Sequence, residues 1–477
     1  MIPISEYAGR DVAIFGLARS GVASAKALLA GGARVHAWDE NEAARARAAG
    51  EGVPLVDINR NDWRGYSALV LSPGVPLTHP RPHRIVELAQ AVGVPIVGDI
   101  ELYAGAVNAL APHLRPRTIG VTGTNGKSTT TALIGHILSA CGKDARVGGN
   151  IGTSVLDLPP LHAGAYYVIE LSSYQLDLTH SLRCDAAVLL NITPDHLDRH
   201  GGMGGYIAAK KRIFLNQGAG DWAIVGVDTP ETAEICSELT RLNARTVAPI
   251  SNAQAVGRGV SALGGALYDS LGGRAQMVMD LAAAPALPGK HNAQNIAAAY
   301  AAARAMGLET RAIAGAIQSF PGLAHRLESV GDVEGVRFIN DSKATNADAA
   351  AQALACYPRV RWILGGVAKE GGIDSLADFF PRIARAYVIG EAGPSFASVL
   401  NRADVPVTPA TTMERAVRLA FEDALQSGRT DEIVLLAPAC ASFDQYADFE
   451  RRGEDFKACV RALRAPAALD ARSGERP

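Results

Sequence analysis

The 477-residue chain is too long for one hydrophobic core, and its length alone predicts about three domains. With 48% hydrophobic and 20% charged residues it reads as globular, and a net charge of −2 excludes a global basic field drawing it onto nucleic acid or anionic membrane. The six cysteines (Cys141, Cys184, Cys236, Cys356, Cys440, Cys459) contain no CxxC pair, which excludes a zinc knuckle or disulfide scaffold and predicts reduced thiols.

No stretch reaches the roughly 18 uncharged apolar residues of a membrane helix. Glu6, Arg10 and Asp11 interrupt any signal-like run at the start, so the expected location is the cytoplasm. Short apolar runs alternate with longer amphipathic ones, the pattern of parallel sheets with crossover helices. Asp11–Phe15 predicts a strand, residues 16–21 a turn, and a helix follows through Ala30. Further strands are expected at Arg34–Trp38, 68–71 and 95–97, and the proline-rich stretch 112–117 reads as a connection. A second series runs through 118–121, a Gly-rich loop, a helix to about Cys141, and strands at 166–170, 187–192 and 222–227. Residues 245–285 predict a few short strands or a flap, and 289–306 an alanine-rich helix. A third series takes in Val336–Asn340, 362–364, 386–389 and Ile433–Leu436, with a disordered tail from about 465.

The turn GLARSG at 16–21 sits between a strand and a helix, with Asp39 at the end of the next strand. It is nearly the dinucleotide fingerprint, but Ala18 replaces the middle glycine that lets backbone approach a pyrophosphate, which weakens the case for NAD. Two readings stay open: a ligand-free turn, or a helix start facing a nucleotide diphosphate, with Ser-Pro-Gly at 72–74 closing a third strand beside it.

The loop GVTGTNGKSTTT at 120–131 departs from the common phosphate loop, because Val121 stands where a glycine is expected. Gly123 and Gly126 let backbone N–H groups converge on phosphate oxygens. Lys127 reaches the terminal phosphates, and Ser128 or Thr129 is placed to ligate Mg²⁺. The strand in YYVIELSS (166–173) ends in Glu170, an acid well placed for a cation at a sheet edge. NITPDHLD (191–198) brings Asn191, Asp195, His196 and Asp198 to the same edge. Lys210 and Lys211 read, from the sequence alone, as a basic helix face in water. NDSKATN (340–346) and ACASFDQ (439–445) are polar strand ends, poor packing material and good ligand chemistry. Cys440 has no partner histidine in its motif and reads as a buried bystander.

Together these motifs resemble the Mur ligases, ATP-dependent amide-forming enzymes of peptidoglycan precursor synthesis, over about residues 9–460. ELSSYQL at 170–176, DHLD at 195–198, NDSKATN and PACASFDQ at 438–445 look specifically like the member that adds D-glutamate. The DNPR of the diaminopimelate- or lysine-adding member is absent, and folylpolyglutamate synthase has HNP where this chain has Lys343-Ala-Thr. GGVAKE at 365–370 departs from the family pattern in lacking an acid before Lys369.

The resemblance implies an α/β protein of three domains: a UDP-substrate-binding Rossmann-like domain (1–98), a P-loop-type ATP-binding domain (99–322) and a C-terminal Rossmann-like domain for amino acid and ATP (323–477). It further implies that ATP phosphorylates the L-alanyl carboxylate of UDP-N-acetylmuramoyl-L-alanine to an acyl phosphate. The amine of D-glutamate then displaces phosphate through a tetrahedral intermediate. Lys127, Glu170, His196 and Lys210 are the implied catalytic set, with two Mg²⁺ ions. Ser128 and Glu170 would hold one ion; His196 and Lys210, the latter as a carbamate, would serve the other. ATP is expected on Gly123, Thr124, Asn125, Gly126, Lys127, Ser128, Thr129, Asn292, Asn295, Arg326 and Asp341. The UDP substrate is expected on Arg19, Ser20, Asp39, Glu40, Asn41, Ser72, Gly74, Asn150 and His196, and D-glutamate on Thr345, Lys369, Ser442 and Phe443. A monomer acting on small molecules is the expected state. Two other classes predict differently: a nicotinamide-linked dehydrogenase needs no Lys127, and an ATP-gated binding module releases no phosphate.

Overall fold

The computed structural model describes residues 1–369 and 371–464, so the expected disordered tail lies outside the described residues. The chain forms two compact units, one of Met1–Ala284 with Asn292–Phe320, the other of Pro285–His291 with the chain from Pro321 onward. Among the described residues no helix is long and apolar enough to cross a membrane.

The first unit holds two sheets. β1 (Asp11–Phe15), β2 (Arg34–Trp38), β3 (Tyr66–Leu71) and β4 (Ile96–Val97) pair all-parallel in the order β2-β1-β3-β4. The second sheet takes β5 (Arg117–Thr122), β6 (Asp144–Gly149), β7 (Ala165–Glu170), β8 (Ala186–Leu189), β9 (Trp222–Gly226), β10 (Thr246–Ser251), β11 (Val260–Leu263), β12 (Ala266–Asp269) and β13 (Gln276–Asp280). Their order is β13-β12-β11-β10-β9-β8-β5-β7-β6. Pairing is parallel from β6 to β11 and antiparallel through the β11–β12–β13 meander. The expected irregular stretch at 245–285 is thus the continuation of this sheet.

Strands β5, β7 and β8 are buried almost throughout, which is why they read as continuous apolar runs. The chain leaves β5 for β6 and β7 on one side and returns to β8 on the other. A crevice therefore opens beyond the carboxyl end of β5, the place where parallel α/β sheets collect ligands. One apolar core runs through both sheets, from Ile4, Val12 and Leu28 to Tyr103, Tyr167 and Leu189. The Ile2 amide donates to the Leu156 carbonyl (2.8 Å), tying the chain start to the second sheet's layer.

In the second unit β14 (Glu328–Val333), β15 (Val336–Asn340), β16 (Val360–Gly365), β18 (Ile383–Ile389), β19 (Val407–Thr411) and β20 (Ile433–Leu436) order as β14-β15-β20-β16-β18-β19. Only the β14–β15 pair is antiparallel among the described strands of that sheet. β17 (Val367–Ala368) and β21 (Cys440–Ala441) make a separate antiparallel pair. Each face of the six-stranded sheet has its own core, one around Trp362 and Leu435, the other around Phe338 and Phe456.

Arg452 is 1% exposed and ties two motifs together. Its guanidinium donates to Ser342 Oγ (3.0 Å), the Ser342 carbonyl (2.8 Å) and the Cys440 carbonyl (3.0 Å). Burial lowers its pKa to about 10, so those oxygen acceptors are what keep the cation in place.

Candidate active site

The loop after β5 lies at the switch point and is built from backbone that only glycine adopts readily. Gly126 caps the helix Lys127–Ala140 with φ 83°, and a Cβ there would collide with the Asn295 side chain. Asn295 packs from the helix Lys290–Ala305, accepting from Thr130 Oγ1 (3.2 Å) and donating to Asn292 Oδ1 (3.0 Å). Asn191, after β8, accepts the Asn125 amide on Oδ1 (2.9 Å), and its carbonyl accepts the Thr124 amide (2.9 Å). Thr124 Oγ1 also meets the Tyr206 hydroxyl at 3.0 Å. The loop is therefore held from three other segments of the chain.

Two lysines converge on it. Lys127 Nζ donates to the carbonyls of Gly123 (2.9 Å) and Thr124 (2.7 Å), and Lys210 Nζ donates to the same Gly123 carbonyl at 2.8 Å. Lys210 is 1% exposed, contrary to the water-facing helix surface read from sequence alone. The helix Met203–Lys211 turns it inward over the Tyr206 ring, 4.7 Å away. Burial, with repulsion from Lys127 added, holds its ammonium well below the usual lysine range; Asp195 and Glu170 oppose the shift.

A cavity of ≈ 350 Å³ opens here, lined among others by Arg19, Ser20, Gly74, Lys127, Asn150, His196 and Lys210. Glu170, at the end of β7, is 2% exposed. Its Oε1 accepts from Asn150 Nδ2 (2.8 Å), whereas its Oε2 is buried without a hydrogen-bond partner. Gly149 (φ 101°) permits the close approach, since a Cβ there would strike the Glu170 carbonyl. His196 sits in left-handed backbone (φ 53°), 3.5 Å from Asp195 and with its ring 5.0 Å from that of Tyr174. Burial lowers its pKa and Asp195 partly opposes that, so the neutral imidazole is favoured.

The other sequence-singled residues fall into two groups. Within the first unit, Arg19 donates to the Gly152 carbonyl (2.7 Å) at the cavity wall. Asp39 accepts the Leu17 amide (2.6 Å) and the Asn41 amide (2.8 Å), Asn41 caps the next helix, and Ser72 donates to the Gly16 carbonyl (2.8 Å). Glu40 meets His83 at 3.2 Å. These side chains brace the first turn, so the shape of GLARSG is fixed by its neighbours. Ser128 is buried and Thr129 half-buried on the first turn of their helix.

Within the second unit, Asp341 is buried and accepts the Leu327 amide (3.1 Å), and burial raises its pKa to about 7. Arg326 lies one residue before that amide. Thr345 is half-buried in the same loop. The antiparallel β17–β21 pair sets Lys369 and Ser442 at its opposite ends, Ser442 buried and Phe443 75% exposed. Cys440 is buried with its thiol raised to about 12, the inert bystander expected.

Five residues escaped the sequence reading. Ser154 Oγ is buried without a partner and lines the cavity. Ser173 Oγ is hydrogen-bonded to His200 Nε2, and Asp177 Oδ2 lies within ion-pair distance of His200 Nδ1. Asp99 is fully buried on the cavity wall with Gln175 Nε2 at 3.2 Å, and burial raises its pKa to about 6. An acid opening a helix directly after a strand end was the available signal for Asp99.

Because its folded pKa lies above the ordinary 3.8, Asp99 supports folding fully only when protonated, and that support is lost as pH rises toward 6. Asp99→Asn should therefore gain stability relative to wild type between pH 4 and pH 8, by at most about 3 kcal/mol. Thermal melts of both proteins across that range check it, and a pH-independent difference would contradict it.

The sequence matches the Mur ligase middle domain over residues 121–303 and the Mur ligase glutamate ligase domain over 325–440. It is 59% identical to a UDP-N-acetylmuramoylalanine--D-glutamate ligase of Phenylobacterium zucineum, over 97% of this chain and 98% of that one. Identity to the protein of that name from Rhizobium meliloti is 50%, over 98% and 100%. Among solved structures, a UDP-N-acetylmuramate-alanine ligase from Thermotoga maritima shares the fold, with a TM-score of 0.59 and 17% identity over 95% of this chain and 99% of that one.

Proposed function

Because the chain belongs to the Mur ligase family, we infer that it is the ATP-dependent ligase that adds D-glutamate to UDP-N-acetylmuramoyl-L-alanine in peptidoglycan precursor synthesis. The observation that supports the chemistry is the convergence of Lys127, Lys210 and a partnerless Glu170 oxygen at the end of β5. A carboxylate and an amine do not condense unaided in water; the carboxylate needs a leaving group. Phosphorylation supplies it, and the displacement by the amine builds negative charge on a tetrahedral centre. The glycine loop orients the phosphates, Lys127 neutralises charge on the transferring group, and His196 and Asn150 hold the substrate carboxyl.

The residues fit a magnesium ion. Among the described residues no group of three His, Cys, Asp or Glu gathers, which suits an ion held by one carboxylate, a loop hydroxyl and phosphate oxygens. Glu170 Oε2 and Ser128 would hold it, and when bound it would screen the phosphates and polarise the transferring group. We place a second ion near His196 and a carbamate on Lys210, an uncharged buried amine being the form that adds carbon dioxide. ATP would also meet Thr129, Asn292, Asn295, Arg326 and Asp341. The uridine diphosphate moiety would lie along Arg19, Ser20, Asp39–Asn41 and Ser72–Gly74. D-glutamate would pair its carboxylates with Lys369, Thr345 and Ser442, against Phe443. The reading assigns three domains with limits near 98 and 322, a monomer, and a cytoplasmic setting, where ATP and nucleotide-linked precursors are available.

The test is the amino-acid dependence of phosphate release. ADP and phosphate should appear only with UDP-N-acetylmuramoyl-L-alanine, D-glutamate and Mg²⁺ together. Equal turnover with L-glutamate or diaminopimelate would sink the specificity, and nucleotide binding without phosphate release would sink the ligase.

A further inference from the structure

Ser172 and Ser173 are adjacent, yet only one has a duty in the helix Ser173–Asp177. Ser172 is its N-cap: its hydroxyl accepts the Gln175 amide (3.2 Å), and Gln175 Oε1 accepts the Ser172 amide (3.1 Å) in a complete capping box. The Ser173 hydroxyl is left out of the cap. It lies 2.9 Å from His200 Nε2, and His200 Nδ1 lies 3.0 Å from Asp177 Oδ2. The His200 side chain is 2% exposed and stacks on Tyr174, with ring centroids 5.4 Å apart and planes 18° from parallel.

The order of partners favours one position for the proton. With a carboxylate 3.0 Å from Nδ1, the tautomer that carries its hydrogen there is favoured, and it leaves the Nε2 lone pair for the serine hydroxyl. That is the arrangement in which an imidazole accepts a proton through a serine, with the carboxylate stabilising the imidazolium. Ser173 also lines the cavity that holds Lys127, Asn150 and His196. The row therefore runs from the cavity wall to the partly exposed Asp177.

Resting on the ligase reading above, we propose that Ser173, His200 and Asp177 form the proton relay of the amide-forming step. Before attack the D-glutamate ammonium passes one proton to Ser173 Oγ while the serine proton passes to His200 Nε2, and the free amine then bonds to the activated carbonyl carbon. The tetrahedral centre collapses, the carbon–oxygen bond to phosphate breaks, and phosphate leaves with the electron pair and takes up the second nitrogen proton. The imidazolium, held by Asp177, then returns its proton to water. Ser173 touches the reacting amine; His200 and Asp177 are positioning residues that act through it.

The experiment compares two amines on the same enzyme: D-glutamate, and hydroxylamine, which is already uncharged near neutral pH and needs no base. Ser173→Ala and His200→Gln should lose about 10²-fold in D-glutamate-dependent phosphate release, the usual contribution of one acid–base group. Hydroxylamine-dependent release should stay near the wild-type rate, and Ser173→Thr, which keeps the hydroxyl, should recover most of the D-glutamate rate. Equal losses with both amines, or no loss with either, would overturn the relay. If His200→Gln fails to melt cooperatively, Ser173→Ala, one oxygen smaller, decides alone. Wild type that releases no phosphate with D-glutamate would instead overturn the ligase reading itself.

Discussion

Lys210→Ala should leave almost no D-glutamate-dependent phosphate release, a loss of 10²-fold or more, and added formate, acetate or propionate should restore part of it. The loss follows from where the side chain sits. Lys210 is 1% exposed, bonded to the Gly123 carbonyl at 2.8 Å, and lines the cavity that Asn150 and His196 share, within electrostatic reach of Glu170. Removing one preorganised charged group from such a site costs about 2.7–4 kcal/mol of transition-state stabilisation. The rescue separates two roles. If Lys210 works as a carbamate, what the reaction needs is a pair of oxygens at its tip, and a small carboxylate fits the space the alanine leaves. If it works as an ammonium bracing the loop through Gly123, carboxylates do nothing and methylamine or ethylamine restores activity. Wild-type turnover in Lys210→Ala would refute both.

That lysine also marks how far the sequence carries. Strands β1 and β20 are legible to the residue, because a strand buried on both faces is a nearly unbroken apolar run, and β15 because a polar loop follows its apolar residues. The unpredicted strands of the two large sheets, β6, β14 and β19, all lie at or near sheet edges: β6 ends the nine-stranded sheet, and β14 and β19 end the six-stranded one. Their sequences DARVGG, ESVGDV and VTPAT mix charge, glycine and proline, as half-exposed edges do, so no apolar run announces them. The site divides in the same way. Gly123 to Ser128 and Glu170 are legible since each follows its strand directly. Burial of Lys210 is not, for it depends on a carbonyl 87 residues upstream and on which face the helix Met203–Lys211 turns inward. The Ser173–His200–Asp177 row is invisible for the same reason, its members being joined across a loop and a second strand.

Glu170→Gln should separate catalysis from stability in opposite directions. Glutamine keeps the volume and can still accept Asn150 Nδ2 on its remaining oxygen, so the wall of the cavity survives. What disappears is a buried negative charge, one of whose oxygens has no hydrogen-bond partner in the protein. The glutamine nitrogen is as unpartnered there as the oxygen it replaces, so what the fold is spared is the cost of burying a charge. The ligand-free variant should therefore melt at the same temperature as wild type or a few degrees higher, by about 2–4 °C per kcal/mol for a unit of this size. Turnover should fall about 10²- to 10³-fold. The Mg²⁺ concentration for half-maximal rate should rise at least tenfold, since the ion loses its protein charge. Melting without ligands, and phosphate release titrated with Mg²⁺, measure the two effects on one preparation. A variant that is less stable and keeps its Mg²⁺ requirement would show that the carboxylate serves the fold, and Glu170 would lose its place as the cation's anchor.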